Sequence, residues 1–242
     1  MIKSYIKTAL RNLWKFKGYT LINILGLAIG MACVMLIMLY VRSELSYDTF
    51  HKHADRIYRL NIEATNPQTG AVSQRAIGPF RLAREMRVDF SDLDHIVRFA
   101  PQTRETVIKD DQQYLEQNLA FVDPEVLEVF TFPLSKGDPQ SVLEQPFSLI
   151  LTREVARKYF GEQDPIGQTL QLRGRDFEIT GILEEVPANS QFRFDIMVSM
   201  HCAEQVFSRI VLENWGEGYV ETFVQVPPGA TPAERSDRDS RP

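Results

Sequence analysis

Apolar and polar positions fall into three regimes along the chain. From Ile2 to Trp14, apolar residues recur at three- and four-residue spacing (Ile2, Ile6, Leu10 or Ala9, Leu13, Trp14). Lys3, Lys7 and Arg11 repeat every four on a neighbouring face. That period predicts an amphipathic helix with one basic face, against the simpler alternative of a positive flank with no fixed helix. Next comes "KGYTLINILGLAIGMACVMLIMLYVRSE", uncharged from Gly18 to Val41. At about 1.5 Å per residue the uncharged run reaches about 36 Å, enough to cross a hydrocarbon core of about 30 Å. A cleaved export signal has a shorter apolar region and a small-residue cleavage pair, and "VRSELSYDTF" supplies no such pair. The run is therefore predicted to be a retained membrane span, with Gly18 at the bend before it.

In the third regime the runs are short. "ADRIYRLNIEA" predicts a helical turn entering a strand, Ile57 to Glu63. "GPFRLAREMRVDF" predicts a helix with Phe80, Ala83 and Met86 on one stripe, and "DLDHIVRFA" a strand. A hairpin is predicted to turn at Asp110-Asp111. "DPEVLEVF" reads as a short helix with Asp123 as N-cap and Pro124 at its first position. "FSLILTREVARKYFG" is a strand and then a helix, capped by Thr152 and ended by Gly161. A second hairpin turns at Arg173-Gly174, and "FRFDIMVSM" and "YVETFVQV" supply two more strands. Hairpins and helices interleave without a regular βαβ rhythm, which predicts an α+β domain, with room for two subdomains. The expected organisation is a basic amphipathic helix over 1–17, a transmembrane helix over 18–41, a domain over 42–230 and a disordered or non-native tail over 231–242.

Charge orients this arrangement. Lys3, Lys7, Arg11, Lys15 and Lys17 precede the span with no acid among them, so the remainder is more acidic than the net charge of −5 indicates. Basic residues flanking a span mark its cytoplasmic side, so the N-terminus is expected inside and the domain outside, periplasmic in a cell with two membranes. With Trp14, those five residues form the expected membrane anchor. An acidic domain lacks the basic footprint of a nucleic-acid binder. Gly26 and Gly30 share one face of the span and would let another helix approach closely. Cys33 sits mid-span and Cys202 far down the exported part, so they cannot bridge each other in this topology, and Cys202 reads as a small buried hydrophobe.

Candidate chemistry is sparse. No P-loop, G-x-S-x-G or H-E-x-x-H motif occurs. His51 and His53 could form half of a metal site only in a strand, with no Cys or further His nearby in sequence. Glu44, Asp48 and Asp55 are expected to face water. "GEQDPIG" reads as a helix stop and a tight turn, since Glu162 and Asp164 would repel a phosphate. No cofactor, metal or catalytic residue is predicted. An extracytoplasmic enzyme ranks below a transporter part or a binding module.

The opening stretch "ALRNLWKFKGYTLINILGLAIGMACVMLIMLYVRSELSYDTFHKHADRIYRL" resembles the start of ABC-transporter permeases of the MacB/FtsX type. "FVDPEVLEVFTFPLSKGDP", "LILTREVARKYFGEQDPIGQTLQL" and "ITGILEEVPANSQFRFDIMVSM" resemble that family's periplasmic core domain, in the family's order. The resemblance implies a cytoplasmic amphipathic helix, a first span, a large extracytoplasmic domain and three further spans. It also implies dimerisation, a separate or fused ATPase, and substrates such as lipoproteins, antimicrobial peptides or macrolides. It implies no catalytic residue in this domain. The further spans are not in this sequence, and "RSDRDSRP" departs from the family pattern, so a truncated or frameshifted permease is expected. The resulting expectation is the N-terminal part of a permease that couples a partner ATPase to an extracytoplasmic domain. The alternative is a membrane-tethered binding or assembly module, associating with a full-length permease but without transport of its own.

Overall fold

A computed structural model describes residues 2–229 apart from Pro67, Ser91 and Ala188, with the side chains of Ile2 and Lys3 also left undescribed. The expected tail over 231–242, and the anchor role of the Lys3 side chain, lie outside the described residues. The chain divides into two compact units, Met1–Tyr47 and Asp48–Pro242.

The first unit holds two helices, α1 (Ile2–Lys15) and α2 (Lys17–Leu45). The break falls at Phe16 (φ −113°, ψ 53°), not at Gly18, which lies inside α2. Thr20 explains this placement. Its hydroxyl donates to the Leu13 carbonyl at 3.1 Å, so it satisfies an acceptor that the break leaves without a helical partner. The two residues are seven apart, about 10 Å of rise in a straight helix, so the axis bends here. At 29 residues, α2 is about 43 Å long. None of its residues is buried, as expected of an apolar helix whose solvent is lipid.

The second unit is built on a 12-stranded sheet. Its strands in chain order are β1 (Ile57–Arg59), β4 (Ile77–Gly78), β5 (His95–Gln102), β6 (Glu105–Lys109), β7 (Gln112–Glu116), β8 (Leu119–Val122), β9 (Leu134–Lys136), β10 (Ser148–Thr152), β11 (Thr169–Leu172), β12 (Arg175–Leu183), β13 (Ile196–Ser199) and β14 (Val220–Gln225). β2 (Ile62–Thr65) and β3 (Val72–Arg75) pair separately as an exposed ribbon. The helices are α3 (Phe80–Asp89), α4 (Val126–Val129), α5 (Arg153–Phe160), α6 (Ala203–Val206) and α7 (Arg209–Glu213).

The main sheet runs β1-β14-β5-β8-β13-β10-β12-β11-β6-β7. Its parallel pairs, β8–β13 and β10–β12, sit among antiparallel neighbours. β5 and β6 are six places apart in this order, about 29 Å across a flat sheet. Yet only Thr103 and Arg104 join them, a reach of about 11 Å. The sheet must therefore curl back on itself. Arg173, in the β11–β12 turn, holds the closure by donating to Gln102 at 2.8 Å and pairing with Glu105.

Both faces of the central strands are covered. Leu119, Phe121, Leu149, Leu151, Ile196 and Val198 enter the core inside the curl, beneath α5. Ala120, Val122, Ile150 and Met197 enter a second core on the opposite face, with Val126, Phe130, Phe132, Phe192 and Phe194. β8 and β13 are buried along their whole length, which is why they read as continuous apolar runs. The two cores are two sides of one sheet, so the room left for two subdomains is filled by a single compact unit.

Local chemistry explains several boundaries. Thr152 accepts from the Val155 N–H at 3.4 Å, and Gly161 (φ 60°) ends α5. Asp110 and Asp111 both take positive φ in the β6–β7 turn, the type I′ geometry that two-residue hairpins favour. Two expectations are corrected. The strand expected over Ile57 to Glu63 breaks into β1 and β2, because the two pieces pair with different partners, β1 with β14 of the main sheet and β2 with β3 in the separate ribbon. Asp123 does not cap α4, whose N-cap is Glu125 with no side-chain bond. Its carboxylate is instead buried between Arg98 and Arg87.

Candidate functional site: a clamp at the start of the domain

Residues 48–52 are the first of the domain and follow closely on α2 in the chain. Two loops grip them. Asp48 adopts φ 55°, the left-handed region that Asp tolerates. Its N–H donates to the Asn189 carbonyl at 3.0 Å. Its Oδ1 accepts from the Ser190 hydroxyl and from the Gln191 N–H, both at 3.1 Å. Asp48 was expected to face water; the positive φ turns its carboxylate onto this loop instead.

The second grip is a reciprocal pair. The Lys52 N–H donates to the Thr131 hydroxyl, and the Thr131 N–H donates to His51 Nδ1, both at 3.0 Å. The His51 ring is buried among four phenylalanines, with centroids 4.1 Å from Phe50, 5.1 Å from Phe130, 5.2 Å from Phe132 and 6.1 Å from Phe192. Because Nδ1 accepts a backbone hydrogen bond, the neutral ring carries its proton on Nε2. Nε2 is buried without a hydrogen-bond partner, 3.9 Å from Asp48 Oδ1. Burial holds the imidazole pKa below its usual range, partly opposed by the Asp48 charge. Beside the ring lies a cavity of about 210 Å³, lined by Asp48, His51, Arg59, Phe130, Gln191 and Phe223.

The aromatic box continues into the core. Phe130, Phe192 and Phe223 pack on one another and on Phe99 of β5. Next along β5, Arg98 makes two bonds to Asp123, at 2.6 and 2.9 Å, and its own N–H donates to the same carboxylate at 2.8 Å. Arg87 of α3 adds a contact at 3.4 Å. The segment after α2 is thus fixed to the second core, and that core to the sheet centre.

The residues singled out in the sequence are placed differently. Lys7, Arg11, Trp14 and Lys15 are exposed on α1, and Lys17 is exposed at the start of α2. A Cβ added at Gly26 or Gly30 would meet no atom within 4 Å, so that face has no partner among the described residues. His51 and His53 do not combine into a metal site, and no group of three His, Cys, Asp or Glu side chains among the described residues could hold one. Cys202 is buried, which pushes its thiol up to about 11. A cleft of about 660 Å³ beside the N-terminus of α5 is lined by charges of both signs, including Arg153, Arg157 and Glu185. Sequence reading missed the clamp. The available signal was the Phe-x-Phe pattern at Phe130–Phe132 and again at Phe192–Phe194, apolar residues too dense for surface loops.

Fold and clamp define a class: an α+β domain whose first residues lock into its core, carried after a helix long and apolar enough to cross a membrane. The model of the MacB-like periplasmic core domain matches residues 20–238, and the chain belongs to this family, found in ABC transporter permeases. Solved structures share the fold. A domain of a protein described as a permease, from Porphyromonas gingivalis, superposes with a TM-score of 0.65 at 20% identity, covering 78% of this chain and 80% of that one. The periplasmic region of MacB from Actinobacillus actinomycetemcomitans gives 0.51 at 10% identity, covering 82% and 83%. The extracellular domain of the noncanonic ABC-type transporter YknZ, from Gram-positive bacteria, gives 0.52 at 14% identity, covering 74% and 87%. Comparison with curated proteins gives no match.

Proposed function

We propose that this chain is the part of an ABC transporter permease that carries ATP-driven motion from the membrane to an extracytoplasmic domain. Its role is mechanical, not catalytic, and serves export or extraction of a substrate such as a peptide, lipoprotein or drug. The observation that carries this reading is the clamp. A tether that only anchored a domain would need no buried attachment, whereas Asp48, His51 and Lys52 are bonded to two core loops immediately after the apolar helix. Displacement of that segment would pull directly on the Phe130–Phe192–Phe223 cluster.

In this reading α1 lies along the inner leaflet, with Lys7, Arg11, Lys15 and Lys17 toward anionic headgroups and Trp14 at the boundary. The N-terminus is cytoplasmic and the domain extracytoplasmic. The Gly26–Gly30 face of α2 packs on another helix, in a second copy or a full-length permease. The partners are an ABC ATPase and the lipid membrane. The test is purification of the tagged chain from native membranes in mild detergent. Recovery of an ABC ATPase, with nucleotide hydrolysis in the eluate, is expected. Recovery of the chain as a monomer without any ATPase would overturn the reading in favour of a tethered module.

A further inference from the structure

We propose that the His51 box is an acid-labile latch: a second proton on the imidazole releases residues 48–52 from the loops at 130–132 and 189–192. The geometry leaves one place for that proton. Nε2 carries the hydrogen in the neutral ring, so the second proton must go on Nδ1. There it would face the Thr131 N–H, a donor that now bonds to Nδ1 at 3.0 Å. Protonation turns that bond into a clash of two donors, and a charged ring has four phenylalanines around it.

The surrounding charges do not rescue the cation. On its own segment, Asp48 favours protonation, but its Oδ1 is 3.9 Å from Nε2, beyond hydrogen-bond reach, and already accepts from Ser190 and Gln191. Arg59 of β1 lines the same cavity and opposes a second positive charge. The 130–132 loop presents only Phe130, Thr131 and Phe132. The 189–192 loop presents Asn189, Ser190, Gln191 and Phe192, and β14 presents Phe223. Burial raises the Glu221 carboxyl of β14 above its usual range, partly opposed by the Arg59 charge.

The sign follows from linkage. The clamped state holds the imidazole pKa below its value in the released state, about 6.5. Above that pH the latch is unaffected. Below it the released state binds the proton preferentially, so release grows as pH falls, by up to about tenfold per unit, until the clamped ring itself titrates. An extracytoplasmic face is the one exposed to external acid, so this device would uncouple the domain from the span there. That consequence rests on the proposed function; the latch itself does not.

Hydrogen exchange of the intact chain in lipid nanodiscs tests the latch. After correction for intrinsic exchange, amides at 48–54, 130–132 and 190–192 should open up to about tenfold more at pH 5.5 than at pH 7.5. H51Q, whose amide oxygen still accepts from Thr131, should lose that dependence, and H53Q should keep it. Equal pH dependence in wild type and H51Q, or none in wild type, would overturn the proposal. Should H51Q fail to fold, direct NMR titration of the His51 ring decides: a midpoint at or above about 6.5 refutes the latch. Neither readout involves an ATPase, so failure here and failure of the co-purification are separable.

Discussion

Replacing Asp48 by Ala removes both side-chain bonds of the first grip. Hydrogen bonds to charged groups contribute about 1.5–3 kcal/mol each. The Asp48 side chain is 22% exposed, so water competes and the two bonds together are worth about 2 kcal/mol, less than the sum of two fully buried ones. The loss leaves the buried Ser190 hydroxyl without its acceptor. Alanine at φ 55° adds about 1 kcal/mol of backbone strain. D48A should therefore weaken the grip by about 3 kcal/mol, roughly a hundredfold loss of exchange protection at Ser190, Gln191 and Phe192. D48N keeps the acceptor oxygen and tolerates the left-handed backbone, so it should lose less than about tenfold. The measurement is hydrogen exchange of the intact chain in nanodiscs at pH 7.5, with the β8 and β13 amides as internal controls. A D48A effect below about fivefold would refute the reasoning, as would a D48N effect equal to that of D48A.

Two further outcomes follow from burial. R98A leaves the Asp123 carboxylate, 4% exposed, with the backbone N–H at position 98 and the long Arg87 contact but without its guanidinium partner. It should destabilise the domain by about 3–5 kcal/mol in denaturant unfolding, whereas removal of the exposed Lys136–Asp164 pair should cost under about 1 kcal/mol. With its thiol raised to about 11, Cys202 is ionised to about one part in a thousand at pH 8. Maleimide labelling of the native domain should be slower than that of a free thiol by at least about a hundredfold, and unfolding should abolish the difference.

The parts of the fold that were legible in the sequence are those set by near neighbours. The Asp110-Asp111 and Arg173-Gly174 turns, the Thr152 cap and the Gly161 stop are fixed by backbone angles and bonds within a few residues. The uncharged run of α2 is legible for the same reason, since length alone decides it. Long-range partners decided what was misread. Asp123-Pro124 has the chemistry of a helix start, but Arg98 outcompetes the cap for the carboxylate. Asp48 and His51 looked like a wet surface and half a metal site. Their partners lie about 80 and 140 residues away, at Thr131 and Ser190, and no local pattern encodes that meeting. The curl of the sheet was likewise invisible, because it follows from which strands pair and not from where they lie in the sequence.

The central claim is that motion passes through the clamp. Its most direct test uses the proposed complex of two copies with an ABC ATPase, with spin labels at position 210, where Ile210 is 76% exposed, and distances measured between the copies. Cys33 and Cys202 are replaced beforehand to leave a single labelling site. ATP should shift the distance distribution in the otherwise native chain. With D48A added, hydrolysis should continue while the shift is lost. An identical ATP-driven shift in both would contradict the account.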